Sequence, residues 1–246
     1  MAANSSIEWT ESTWNPVSGC TKISKGCLNC YAERMSRRLA GRYGYPKDNP
    51  FQVTLHPNRL SQPSEWKGNH IIFVCSMSDL FHKNVPDSYL YEILKVMKNS
   101  PRHTFQILSK RAGRMLRFSK KIGCWPDNVW VGVTVESKAY KKRIDLLREI
   151  KAPIRFLSCE PLLEDLGELN LNKINWVIVG GESGFNSRVM EQKWATHIRD
   201  QCLNKSIPYF FKQWGGISKK ISGRSLDGKE WNQMPEIQNR VVVSCV

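Results

Sequence analysis

Cys20, Cys27 and Cys30 fall within eleven residues, in the run GCTKISKGCLNCYAER. Thiolates at this density are ligands for soft metals and iron–sulfur clusters. Three is one short of the four that close a tetrahedral zinc site. It is also the number that leaves one iron of a [4Fe–4S] cluster open to a substrate or cofactor. A zinc knuckle needs a fourth ligand, and the nearest candidates, His56 and Cys75, are distant in sequence; no second CxxC is present. In the cluster reading, the amino and carboxylate groups of S-adenosylmethionine (SAM) chelate the open iron. One electron then cleaves the sulfonium and releases a 5′-deoxyadenosyl radical. The alternative is a non-catalytic nucleic-acid-binding protein in which the trio holds a structural zinc or iron–sulfur site.

Other chemistry is sparse. The five histidines, His56, His70, His82, His103 and His197, form no HxxxH pair, and only His82 lies beside another candidate, Asp79. No Ser-His-Asp elbow, Walker loop or glycosidase carboxylate pair is present. The remaining cysteines, Cys75, Cys124, Cys159, Cys202 and Cys245, are scattered singly and are expected to be small buried or neutral residues.

Elements that could position the trio recur along the chain. Apolar, β-branched and aromatic runs stand at 71–76 (IIFVCS), 104–108 (TFQIL), 129–135 (VWVGVTV), 154–158 (IRFLS), 175–180 (NWVIVG) and 208–212 (PYFFK), with a first strand expected near 8–15. Near-continuous apolar runs are the mark of parallel strands covered on both faces. The intervening segments read as helices, among them 86–100, 138–153 and 191–208, and one following Cys30 with Tyr31, Met35 and Leu39 facing inward. The expected fold is α/β, a partial β/α barrel of six to seven parallel strands, with a doubly wound open sheet as competitor. Residues 1–214 form the barrel domain, with a Pro/Asn/Gly-rich insertion at 42–70. Residues 215–246 read as a turn-rich lid, with Gly228 and Trp231 packed back on the body.

In such folds the site gathers at the carboxyl ends of the strands. Each run here is followed by polar residues: Ser78 and Asp79; Ser109, Lys110 and Arg111; Thr134 and Glu136; Glu160; Gly180, Gly181 and Glu182; Lys212. Four carboxylates, two lysines and an arginine would converge over one face. Any one of them could be a helix cap; all six strands together imply a composite polar site.

The formal charge is +15, from 37 Lys and Arg against 22 Asp and Glu, and the basic residues recur along most of the chain. That balance fits a polyanionic partner, nucleic acid or a nucleotide. The N-terminus has no signal-peptide pattern, and no apolar run is long enough to span a bilayer. The expected location is the cytoplasm, with no membrane partner.

The run TWNPVSGCTKISKGCLNCYAERMSRR, followed in order by SMSDLF, LSKR, GVTVES, FLSCEPL, WVIVGGESG and FFKQWG, resembles a radical-SAM-like family with a three-cysteine motif. That family is common in phages and prokaryotes and is known as phage proteins of unknown function. The resemblance covers nearly the whole chain. It implies a [4Fe–4S] cluster held by Cys20, Cys27 and Cys30, and SAM as cofactor. It places Ser78 and Asp79 at the SAM amine, Thr134 and Glu136 at the ribose, and Glu160 in the same pocket. Lys110, Arg111, Glu182 and Lys212 would face the substrate, with Glu182, Lys212 and Lys110 as catalytic candidates. A base modification or repair reaction on DNA, hypermodified phage DNA included, would follow, as would an electron donor such as flavodoxin or ferredoxin. For a phage-encoded chain the location would be the host cytoplasm.

Overall fold

Each expected apolar run forms a strand in the computed structural model, which describes residues 5–217 and 219–236. In chain order the strands are β1 (Ser12–Trp14), β2 (Val17–Ser18), β3 (Thr54–Leu55), β4 (Ile71–Val74), β5 (Thr104–Ser109), β6 (Val129–Thr134), β7 (Ile154–Cys159), β8 (Trp176–Gly180), β9 (Tyr209–Gln213), β10 (Ser225–Leu226) and β11 (Lys229–Glu230). The helices are α1 (Tyr31–Arg38), α2 (Gln62–Glu65), α3 (Asp87–Asn99), α4 (Ala112–Ile122), α5 (Lys142–Arg148), α6 (Gln192–Asn204) and α7 (Lys219–Ser222).

Seven strands build one sheet in the order β1-β4-β5-β6-β7-β8-β9, and every neighbouring pair is parallel. Sequential order with two unpaired edges is that of a partial β/α barrel; a doubly wound sheet would reverse its order midway. All seven carboxyl ends therefore lie on one side. Among the described residues no helix is long and apolar enough to cross a membrane.

The alternation of side chains splits the core in two. Val131, Val133, Leu157, Val177, Val179 and Phe211 pack outward in the main core with the helices. Trp130, Phe156, Trp176, Ile178 and Phe210 face inward and join Trp9 of the N-terminal segment in a second, aromatic cluster. Gly132 belongs to this inner face: a Cβ there would stand 2.5 Å from the Phe156 ring, so the aromatic plug requires glycine. Each fully buried ring of this kind contributes about 1.5–3 kcal/mol. The plug closes the amino-terminal end of the barrel. Above it the inner face turns polar, through Thr134, Ser158, Glu160 and Lys212.

Local expectations differ from the structure at several points. Tyr31 opens α1 but is 59% exposed, whereas Ala32 and Ser36 are buried. The helix packs Ala32, Met35 and Leu39 on Tyr45, Phe51 and Met77, beside the barrel mouth, so Met35 and Leu39 face inward as expected and Ala32 takes the place expected of Tyr31. The link from β7 to β8 contains no helix among its residues, while α4, with its many basic residues, is a full helix with Met115, Leu116 and Phe118 buried. Cys75, Cys159 and Cys202 are buried, whereas Cys124 is half-exposed and disulfide-bonded.

Residues 42–70 contribute β3, which pairs antiparallel with β2 just before the cysteine loop. In the 215–246 segment, β10 and β11 form a hairpin, and the buried Trp231 accepts a backbone hydrogen bond from Phe211, whereas Gly228, expected to pack on the body, is an exposed turn residue with φ +79°. Residues 218 and 237–246 of that segment, Cys245 among them, lie outside the described residues.

Candidate active site

The cysteine loop leaves β2 at the carboxyl mouth of the barrel and is fixed at its start by glycine. Gly19 has φ +78°, and a Cβ on it would lie 2.1 Å from the Gln52 carbonyl oxygen, so no other residue fits. The backbone N–H of Gly19 donates to Met77, after β4, and that of Cys20 donates to Phe51 of the 42–70 segment. Ser78 completes this anchor: its hydroxyl donates to the Val17 carbonyl at 2.9 Å.

From there the loop crosses the mouth and is held on both sides. On the β4–β5 side, Arg111 donates to the Thr21 carbonyl and hydroxyl, both at 3.0 Å, and lies 3.7 Å from the Cys20 sulfur. His82 meets the same Thr21 hydroxyl at 2.9 Å. Asp79, buried after β4, organises this side. One of its oxygens accepts from Phe81 N–H and the Ser109 hydroxyl, and the other accepts from Lys110 N–H. The lysine and arginine that follow β5 are thereby set in position.

On the β8 side, Glu182 is 5% exposed and takes four hydrogen bonds. Arg188 donates its backbone N–H at 3.0 Å, Nε at 2.8 Å and Nη2 at 2.5 Å; Asn29, between Cys27 and Cys30, donates at 2.9 Å. Arg188 also donates to the Lys25 carbonyl, and Arg34 of α1 to the Ser183 carbonyl. Burial would raise the Glu182 pKa, but the bonds from Arg188 and Asn29 outweigh it and the carboxyl is held below its usual range. With all four bonds supplied by the chain, Glu182 ties the β8 turn to the cysteine loop.

Glu136, after β6, meets the loop from below. It is fully buried and accepts from Arg143 at 2.8 Å; Arg143 also donates to the Thr134 carbonyl. Its second oxygen has no hydrogen-bond partner among the described residues and lies 3.0 Å from where a Cβ of Gly26 would stand. On the inner wall, Lys212 pairs with Glu160 at 2.5 Å, both largely buried, across the bare backbone of Gly180. The buried Ser158 hydroxyl is likewise unpartnered among the described residues.

The three thiols are all half-exposed. Burial, with the charge of Asp79, raises the Cys20 thiol to about 11. Burial acts the same way on Cys27, but hydrogen bonds at Ile23 and Ser24 and the charge of Lys110 outweigh it, and its pKa falls. Cys75 is buried at the end of β4 and is pushed up to about 12 by burial.

The structure thus gathers the loop, Lys110, Arg111, Glu136 and Glu182 at one mouth, with Glu160 and Lys212 on the wall beneath. Ser78 and Asp79 stand at its edge with their side chains bonded to the chain. Arg188, Arg34, Thr21 and Arg143 are part of this frame and carried no sequence signal. Each sits in a turn or helix whose spacing names no partner, and only the fold reveals that Arg188 faces Glu182.

The family model described as protein of unknown function (DUF5131) matches residues 4–235. No curated protein matches the sequence. Among solved structures, a spore photoproduct lyase variant with bound AdoMet and dinucleoside spore photoproduct is similar at 10% identity and TM-score 0.47, over 82% of this chain. This chain spans 63% of that one. Another spore photoproduct lyase variant gives 10% identity and TM-score 0.49, over 86% of this chain and 78% of that one. The likeness is one of chain outline, and the functional reading stands on the site itself. By the match over almost its whole length, the chain belongs to the DUF5131 family of proteins of unknown function.

Proposed function

We propose that this protein is a radical SAM enzyme acting on a nucleic-acid base or nucleotide. The observation that carries the reading is the three-thiol loop, fastened across the carboxyl mouth of a parallel half-barrel by residues from several strand ends. Among the described residues no three His, Cys, Asp or Glu side chains come together as a single-ion site. A four-iron cluster asks for something else: three thiolates on three different irons, around a volume rather than a point. The donor set, three half-exposed thiols on one loop without a fourth, fits that demand better than one tetrahedral zinc.

Cys20, Cys27 and Cys30 would hold the cluster. Bound there, the cluster with SAM supplies reductive cleavage of the sulfonium and a 5′-deoxyadenosyl radical. The chain's own part is positional and electrostatic. Lys110 sets positive charge beside Cys27 and helps hold its thiol low, and Arg111 beside Cys20 works against the burial and the Asp79 charge that raise that thiol. Glu136 and Ser158 present unpartnered acceptor and donor capacity to a ligand on the inner face, suited to ribose hydroxyls or an amine. Thr134, Ser78 and Asp79 complete the cofactor side. Lys212 and Glu160 stand on the wall where a substrate would meet the radical, and the aromatic plug excludes water from below. The charge of +15 supports a nucleic-acid substrate, DNA modification or repair being the setting and phage DNA one source. A flavodoxin- or ferredoxin-like protein would deliver the electron.

The test is metal and product analysis on anaerobically reconstituted full-length protein. The expected result is about four irons per chain, with 5′-deoxyadenosine formed from SAM under dithionite and both lost in Cys27→Ala. Colourless protein holding one zinc per chain would overturn the reading in favour of a structural metal.

A further inference from the structure

Large hydrophobic side chains are exposed at ten described positions, and seven of the ten fall in the three segments around the mouth. Leu28 and Tyr31 stand on the cysteine loop and the first turn of α1, 60% and 59% exposed; Phe185 and Val189 follow the β8 turn at 72% and 83%. Ile217 and Ile221 extend the group after β9. Scattered single exposures need no explanation, but a contiguous group does. These segments are locked together. Asn29 donates to the Asn186 carbonyl as well as to Glu182, Arg34 reaches Ser183, and Gly184 N–H donates to Gly216. Tyr31 lies one helical turn from Arg34, which bonds the Ser183 carbonyl two residues before Phe185.

The cysteine loop and α1 are strongly cationic. Residues 20–42 contain six Lys and Arg and a single acid, Glu33, already bridged by Lys22 and Arg37. Exposed aromatic faces among unneutralised cations are what a single nucleic-acid strand needs: rings for its bases to stack on and charge for its phosphates. A duplex hides its base faces, and Lys212 and Glu160 on the inner wall are largely buried, so a base must leave its stack to meet them.

We infer that the rim formed by Leu28, Tyr31, Phe185 and Val189 is a docking surface for single-stranded nucleic acid, with Tyr31 and Phe185 as stacking platforms. The inference rests on the nucleic-acid reading above and deepens it.

Fluorescence anisotropy of reconstituted full-length protein with a labelled oligothymidine strand, and with a duplex of equal length, tests it without requiring turnover. The single strand should bind at least tenfold more tightly. Phe185→Ala should weaken it about tenfold with an unchanged salt slope, and Phe185→Tyr should restore it. Lys25→Ala should flatten the slope by about 0.7. Absorbance and melting confirm that each variant keeps its cluster and fold. Equal or tighter binding of the duplex would overturn the inference while leaving a nucleic-acid substrate standing, as would wild-type affinity in Phe185→Ala. Binding of neither would remove both.

Discussion

Asn29 and Glu182 are 153 positions apart in the chain, and their side chains meet at 2.9 Å. One lies between two of the three cysteines; the other closes the Gly-Gly-Glu turn after β8. The bond converts a loop anchored at β2 into a bridge over the barrel mouth. Arg188 doubles it by joining Glu182 to the Lys25 carbonyl.

Removing the bridge should free the loop without unfolding the barrel. A hydrogen bond to a charged group contributes about 1.5–3 kcal/mol, so Asn29→Ala should raise amide exchange across residues 20–31 by one to two orders of magnitude, leaving β5 to β8 protected. Glu182→Gln should act in the same direction and further, since Arg188 loses its counter-charge. Unchanged exchange in both variants would mean that the loop is held by its other anchors alone.

The buried pair on the inner wall should behave differently. Lys212→Met leaves the Glu160 carboxylate in a largely buried place without its cation, at a cost of about 2 kcal/mol. Adding Glu160→Gln removes the stranded charge, so the double variant should recover part of that loss in urea unfolding. A double variant less stable than Lys212→Met would show that the pair is not coupled.

Stability should fall on mild acidification through His56. The ring is 5% exposed against Ser18, and burial, then the charge of Arg59, lowers its pKa to about 4. The unfolded chain takes up a proton below about 6.5, while the folded chain does so only near 4. Stability therefore declines as pH drops from 6.5 to 4, by roughly 3 kcal/mol at the limit. His82 and His103 are shifted down as well and add to the same trend; His197, raised chiefly by Asp165, opposes it. Urea unfolding at pH 7 and pH 5 should show a smaller difference in His56→Asn than in the wild type. Equal differences would clear His56 of the effect.

The parallel strands were legible because burial on both faces leaves continuous apolar runs, and Val129–Thr134 is buried at every position. The strand-end polar residues followed from those runs by position alone. On α1, Met35 and Leu39 pack inward as expected, and Tyr31 alone was misread: its ring is large and aromatic but stands at the rim, where the helix packs on Tyr45 and Phe51 rather than on the sheet. The framing arginines were invisible for a related reason: a guanidinium that bonds a distant carbonyl leaves no period in the sequence. Arg188 reaches back 163 positions to the Lys25 carbonyl of the cysteine loop, and Arg34 of α1 reaches forward 149 positions to the Ser183 carbonyl.

Gly26 offers the sharpest test of how closely the loop is fitted to the barrel. It sits in the 3-10 turn that carries Cys27, and a Cβ there would stand 2.9 Å from the Glu136 Cγ. Glu136 cannot swing aside freely, because it is fully buried and Arg143 holds its other oxygen. The added methyl must therefore lift the turn, at a cost of about 1–3 kcal/mol. Gly26→Ala should bind iron poorly and show faster amide exchange at Lys25 to Leu28. Glu136→Asp withdraws the carboxyl by one methylene and makes room, although it weakens the bond to Arg143. In the double variant iron content and protection should recover in part, so that the two changes are less than additive. Strict additivity would mean that the turn and the carboxylate do not touch in solution.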